Sequence, residues 1–233
     1  MFYINWTYMA MVLPALLLSM WASHRVNSTF NKYSQISSRR NITGMEACRR
    51  LLDSKGLYHV QIEAVSGKLS DHYDPRTNVI RLSSDVYSRT SCAAIGVACH
   101  EAGHAIQYAE KYAPIKFRNA IIPITNIGSK LAMPLVFIGL ALSYASEYFA
   151  FLAYAGVILF TFVVLFQLFT LPTEFNASKR ALDAIDEYRI LEGEELQASK
   201  KVLSAAALTY VAALAVSISQ LLYLLTRISS QRR

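Results

Sequence analysis

One stretch limits what this chain can build: Val97-Ala98-Cys99-His100-Glu101-Ala102-Gly103-His104-Ala105-Ile106-Gln107. The spacing predicts a helix from about Ser91 to Lys111. Residues four apart on a helix lie one above the other on the same face, so His100 and His104 can aim two imidazoles at one metal ion. Glu101 lies about 100° further round. From there its carboxylate does not readily join both histidines as a ligand, but it reaches a water held by the metal. Two nitrogen ligands, an open position and an adjacent base are what metal-assisted peptide hydrolysis needs. With five histidines in the chain, this pattern arises by chance in roughly one chain in a few hundred. The competing reading is an ordinary helix face with two exposed histidines. Against it, Ala93, Ala94, Ile95, Gly96, Val97, Ala98, Ala102, Gly103, Ala105 and Ile106 make the helix small and apolar nearly all round. Such a helix is buried, and a metal satisfies its polar groups together.

The rest of the chain points to a bilayer. Of its 233 residues 54% are hydrophobic and 17% charged, with mean hydropathy +0.28. That split implies a membrane protein with a water-facing portion. Net charge is +7. The basic residues border apolar runs and no aromatic–basic repeat suggests a nucleic-acid groove, so the expected partner of the charge is anionic lipid, with no nucleic acid. Three cysteines, Cys48, Cys92 and Cys99, without a CxxC argue against a disulfide scaffold and suit a reducing compartment. Cys99 points about 100° away from His100 and reads as core packing.

In order, Phe2 to Ala22 is an apolar run about long enough to span. With no Lys or Arg before Arg25 it reads as a retained anchor, not a cleaved signal. Arg25, Lys32, Arg39, Arg40, Arg49 and Arg50 follow, placing that segment in the cytoplasm by the positive-inside rule. Thr43 and Glu46 form a candidate capping box for a helix ending near Lys55–Gly56. Residues 58–65 and Val79–Ser83 read as strands flanking the turn chemistry of Asp74–Asn78. A strand ahead of the metal helix can pair with an extended substrate or be a small structural sheet, and both readings stand. His59 and His72 lack partners at ligand spacing and read as surface residues.

Pro114, Pro123 and Pro134 are expected to break any single long helix after Lys111. Leu131–Ser146 and Phe149–Leu171 read as a transmembrane hairpin, ended by Pro172, and Val202–Thr226 as a last span. Arg227, Arg232 and Arg233 would then lie outside, against the positive-inside rule, and are outweighed by the larger basic load elsewhere. The expected fold class is mainly α: a membrane helical bundle of about four spans with a small α+β portion between the first and second. The expected division is 1–22 anchor, 23–130 α+β segment, 131–171 hairpin, 172–201 third-ligand segment and 202–233 helix with basic tail. Two histidines leave a hydrolytic zinc one protein ligand short. Glu174 is the best candidate, and on spacing alone a helix-start Glu near the dipole is an equal reading.

The stretches His-Glu-Ala-Gly-His-Ala-Ile-Gln (100–107), Asp71–Leu82 and Leu171–Ser178 together resemble the YugP-like bacterial membrane zinc peptidases, over nearly the whole chain. More distantly the chain resembles membrane proteases of the HtpX type. The resemblance implies an integral protein of the bacterial inner membrane, one zinc per chain on His100, His104 and Glu174, and a catalytic Glu101 acting on protein or peptide substrates, membrane proteins among them. It also implies an Asp two residues after the third-ligand Glu, where this chain has Asn176. Asn176 accepts hydrogen bonds but carries no charge, and Asp183 is a candidate substitute. Arg180, Tyr188 and Arg189 are candidate oxyanion donors. The rival function is a zinc-locked membrane scaffold with weak or no activity. Transport ranks lower, because Lys130 and Glu147 lie only at span edges.

Overall fold

The computed structural model describes residues 6–67 and 70–230. It is mainly helical with one small sheet. The chain separates into two compact units, each assembled from segments distant in sequence. The first holds residues 1–21, 116–171 and 209–233; the second holds 22–115 and 172–208.

In the second unit, Thr43 caps α3 (Gly44–Ser54) in a full capping box with Glu46. The Thr43 hydroxyl accepts from the Glu46 N–H at 3.2 Å, and the Glu46 carboxylate accepts from the Thr43 N–H at 2.8 Å. The bond from the Thr43 N–H, and another from the Thr43 hydroxyl to the same carboxylate, hold the Glu46 carboxyl below its ordinary pKa. Gly56, at φ +71°, turns the chain out of the helix, a conformation that costs glycine little. The sheet has the order β1–β3–β2: β1 (Gln61–Val65) runs parallel to β3 (Val79–Ser83), and β2 (His72–Asp74) runs antiparallel to it. β2 is too short to carry a period-2 signal, which is why the sequence shows only its turn. Asn78, at φ +55°, completes that turn. A four-residue helix, α4 (Ser84–Tyr87), separates β3 from α5 (Cys92–Ala109), the helix of His100 and His104. The Ser91 hydroxyl caps α5 by accepting from the Ala94 N–H. Leu51, Leu52, Ile80, Leu82, Ile95, Ile106, Ile185 and Leu191 form the core that surrounds α5. The three cysteines lie within it, and burial pushes the Cys99 thiol up to about 12 and the Cys48 thiol well up. They pack as small hydrophobes.

Three helices among the described residues are long and apolar enough to cross a membrane: Ala113–Leu142, Glu147–Glu187 and Glu194–Ser230. They contain α6 (Ala113–Leu142), α7 (Ala150–Glu187) and α8 (Glu194–Ser230). Two expectations change here. The prolines do not break the chain: Pro123 and Pro134 lie inside α6, and Pro172 lies inside α7, which runs on for fifteen residues to Glu187. A proline forfeits one backbone bond, and helices in apolar surroundings tolerate this when neighbouring groups satisfy the freed carbonyl. The helix that carries the expected second span begins at Ala113, well before Leu131. The described part of the first apolar run forms α1 (Trp6–Met11) and α2 (Leu13–Tyr33). α2 continues through the polar residues 23–33 and is not among the three apolar helices; residues 2–5 of that run, and Arg232 and Arg233, lie outside the described residues. In the first unit α6 and α7 meet backbone to backbone. A Cβ added at Gly128 would stand 2.6 Å from the Leu159 carbonyl, and one at Gly156 would stand 2.6 Å from that of Ala132. Small residues permit this approach between apolar helices.

Candidate metal centre

α5 and the C-terminal part of α7 build the site. They cross at Gly103: a Cβ there would stand 2.6 Å from the Ala177 carbonyl. Glycine at the fourth position of His-Glu-Ala-Gly-His therefore lets α7 lie directly on α5. The crossing brings Glu174 against histidines seventy or more residues earlier. Glu174 Oε2 lies 3.2 Å from His100 Nε2 and 3.4 Å from His104 Nε2. The two imidazoles stand edge to face, with centroids 4.7 Å apart. One ligand atom from each of the three residues lies within 4.8 Å of the others, and Glu174 is 5% exposed. Ligands about 2.1 Å from a tetrahedral zinc are separated by about 3.4 Å, so the two measured separations fit the edges of such a site.

The hydrogen bonds behind the histidines decide which nitrogen faces inward. Gln107 Nε2 lies 2.8 Å from the Thr173 carbonyl and 2.9 Å from Asn176 Oδ1. A carbonyl only accepts, so both amide hydrogens of Gln107 are committed there. Its Oε1 therefore faces His104 Nδ1, at 3.0 Å, and His104 must donate from Nδ1. In neutral His104 the Nε2 lone pair consequently points at the Glu174 carboxylate. Two acceptors facing each other need a proton or a cation between them. Burial works against protonation of His104, yet Glu174 and Glu101 outweigh it and raise its pKa, so proton and metal compete for this position. On the other histidine, Ser178 Oγ lies 3.0 Å from His100 Nδ1. Ser178 is 40° and one turn beyond Glu174 on α7.

Asn176 is integral to this arrangement. Its Oδ1 accepts from Gln107 and, at 2.7 Å, from Arg180 Nε. Arg180 is itself paired with Glu110 at 2.7 Å and lies 6.0 Å over the Tyr112 ring. Neutral Asn176 thus links the two helices through hydrogen bonds alone, without an acid at that position. Arg180, a sequence candidate for oxyanion donor, is engaged in the same chain. Asp183 stands nine residues after Glu174, so it faces the opposite side of α7 and is exposed. Tyr188 lies roughly 21 Å further along the helix direction, and it and Arg189 are exposed in the turn after α7. Glu101 is on α5 beside the cluster, 8% exposed. Gln107 and Ser178 were the residues missed by sequence reasoning. The sequence signal for Gln107 was its place three residues after His104, within reach of the same helix face.

A family profile described as "Putative neutral zinc metallopeptidase" matches residues 8–229. The chain belongs to that family. It is also 47% identical over 212 residues to a protein named "Putative membrane protease YugP" from Bacillus subtilis (strain 168), covering 91% of this chain and 92% of the relative. No solved structure matches. Two imidazole nitrogens and one carboxylate oxygen are a donor set of catalytic zinc sites, so the residues present fit the metal that the family name implies.

Gln107→Ala is expected to weaken zinc binding by about 10- to 100-fold, the usual cost of losing the partner that orients a ligand histidine. The zinc dissociation constant of variant and wild type, measured in protein that still unfolds cooperatively, checks this. An unchanged constant would remove Gln107 from the metal site.

Proposed function

We propose that this protein is a zinc-dependent membrane endopeptidase that cleaves protein or peptide substrates near the cytoplasmic surface of the inner membrane. The convergence of His100, His104 and Glu174, with each histidine Nδ1 held from behind, carries this reading. Zinc, when bound, supplies Lewis acidity for a peptide carbonyl and makes a coordinated water easier to deprotonate. His100, His104 and Glu174 would hold it. Glu101, one residue from His100 and on the side of the helix away from Gln107, would take the proton of the attacking water and deliver it to the leaving amine. Gln107 keeps the His104 Nε2 lone pair directed at the centre throughout.

The cytoplasmic placement rests on the basic load of residues 25–50. Substrate segments near the membrane are favoured because Glu174 follows the apolar stretch ending at Leu171 by three residues. The scaffold reading requires a closed site with four protein ligands. The cluster found among the described residues has three, which favours a peptidase. Asn176, whose lack of charge supported the scaffold, has both of its incoming hydrogen bonds in place.

Detergent-purified protein is expected to hold about one zinc per chain and to cleave a quenched fluorescent peptide library. Chelation should stop cleavage and added zinc restore it. Stoichiometric zinc with no cleavage across the library would give first place to the scaffold.

A further inference from the structure

Away from the metal centre, the second unit holds a cavity of about 540 Å³ between α2 and the beginning of α8. Arg25 and Lys32 on α2 and Lys200 and Lys201 on α8 line it, and none of its lining residues is acidic. All four cations are exposed. The Lys32 and Lys201 ammonium groups lie 5.6 and 5.9 Å from the centroid of one ring, that of Tyr33. Like charges lining one cavity repel, and an anion held in it relieves that repulsion. Thr29 and Ser204 add hydroxyl donors to the wall.

The cavity is graded from charged to apolar. Lys201, Ala205 and Leu208 line it at i, i+4 and i+7 on α8, so they share one helix face. About 10 Å of helix rise separates the backbone of Lys201 from that of Leu208. α8 is one of the three helices apolar enough to cross a membrane, and its apolar run starts at Val202, directly after the two lysines. A phosphate at the lysines with an acyl chain along Ala205 and Leu208 matches this gradation. A free phosphate would leave the apolar end unused. We propose that this cavity binds the headgroup phosphate of an anionic phospholipid. Basic pockets beside membrane helices bind such headgroups. The inference does not depend on the peptidase reading. Ser199, next to Lys200, hydrogen-bonds the Cys92 carbonyl at the start of α5, so the lipid would sit on an element packed against the metal helix.

The test is retention of phosphatidylglycerol against phosphatidylcholine from mixed micelles, read by native mass spectrometry of the full chain. Wild type is expected to prefer phosphatidylglycerol by about tenfold or more, because each lysine near an anionic surface contributes about fivefold. Lys32→Gln/Lys200→Gln/Lys201→Gln should abolish the preference, the triple Lys→Arg variant should keep it, and Lys55→Gln, outside the cavity, should leave it unchanged. Leu208→Glu, which keeps all three lysines, should weaken retention as well and covers the case of a misfolded triple variant. Wild-type retention in both the triple Gln variant and Leu208→Glu would overturn the proposal. Displacement of the lipid by inorganic phosphate at millimolar concentration would also overturn it and assign the cavity to a soluble phosphate.

Discussion

Glu101→Gln is expected to keep one zinc per chain and to lower peptide cleavage by about 10³-fold. The substitution preserves the volume of a side chain that is 8% exposed and removes only its ability to accept and return a proton. General acid–base groups contribute on the order of 10²- to 10⁴-fold, and in the proposed mechanism one carboxylate serves both the attack and the departure of the amine. Glu101 stands outside the three-residue cluster, so the metal should stay. Zinc content and turnover of the same preparation make the comparison. Cleavage within tenfold of wild type would remove Glu101 from the mechanism, and loss of zinc would make it a ligand.

The second large effect is expected at Glu174. Its Oε2 is within 3.4 Å of both histidine nitrogens, so Glu174→Gln takes away the anionic donor while keeping side-chain volume in a buried place. Changing a residue that merely orients a ligand costs about 10- to 100-fold in metal affinity, and losing the ligand should exceed the upper end of that range. Cleavage should fall with it at low zinc and recover only in part at high zinc. A zinc dissociation constant like that of wild type would return Glu174 to the role of a helix residue near the histidines. The pair of variants separates binding from chemistry: Glu101→Gln should give bound zinc without turnover, and Glu174→Gln should lose both.

Where local chemistry decides structure, the residues were readable in order. Thr43 and Glu46 satisfy each other's backbone groups, and α3 starts there and turns out at Gly56. Val79–Ser83 reads as a strand after a turn whose Asn78 takes positive φ, and β3 occupies those residues. The prolines misled because their cost depends on surroundings. In α6 and α7 the apolar setting lets helices pass through Pro123, Pro134 and Pro172. The second unit is also not a contiguous insert, because residues 172–208 return to pack with 22–115.

By itself the sequence determined the i, i+4 pair His100 and His104, the adjoining Glu101, the burial of their helix and the apolar runs, since each follows from helical period and composition over a few turns. Only the tertiary structure decided that Glu174, 74 residues after His100, lies against both histidines. It also decided that Gln107 and Ser178 hold the two histidines, that Asn176 serves without charge and that Asp183 faces away. Those outcomes hang on one event, the approach of α7 onto Gly103. A contact between helices so far apart in the chain is set by how their faces pack, which no local period encodes.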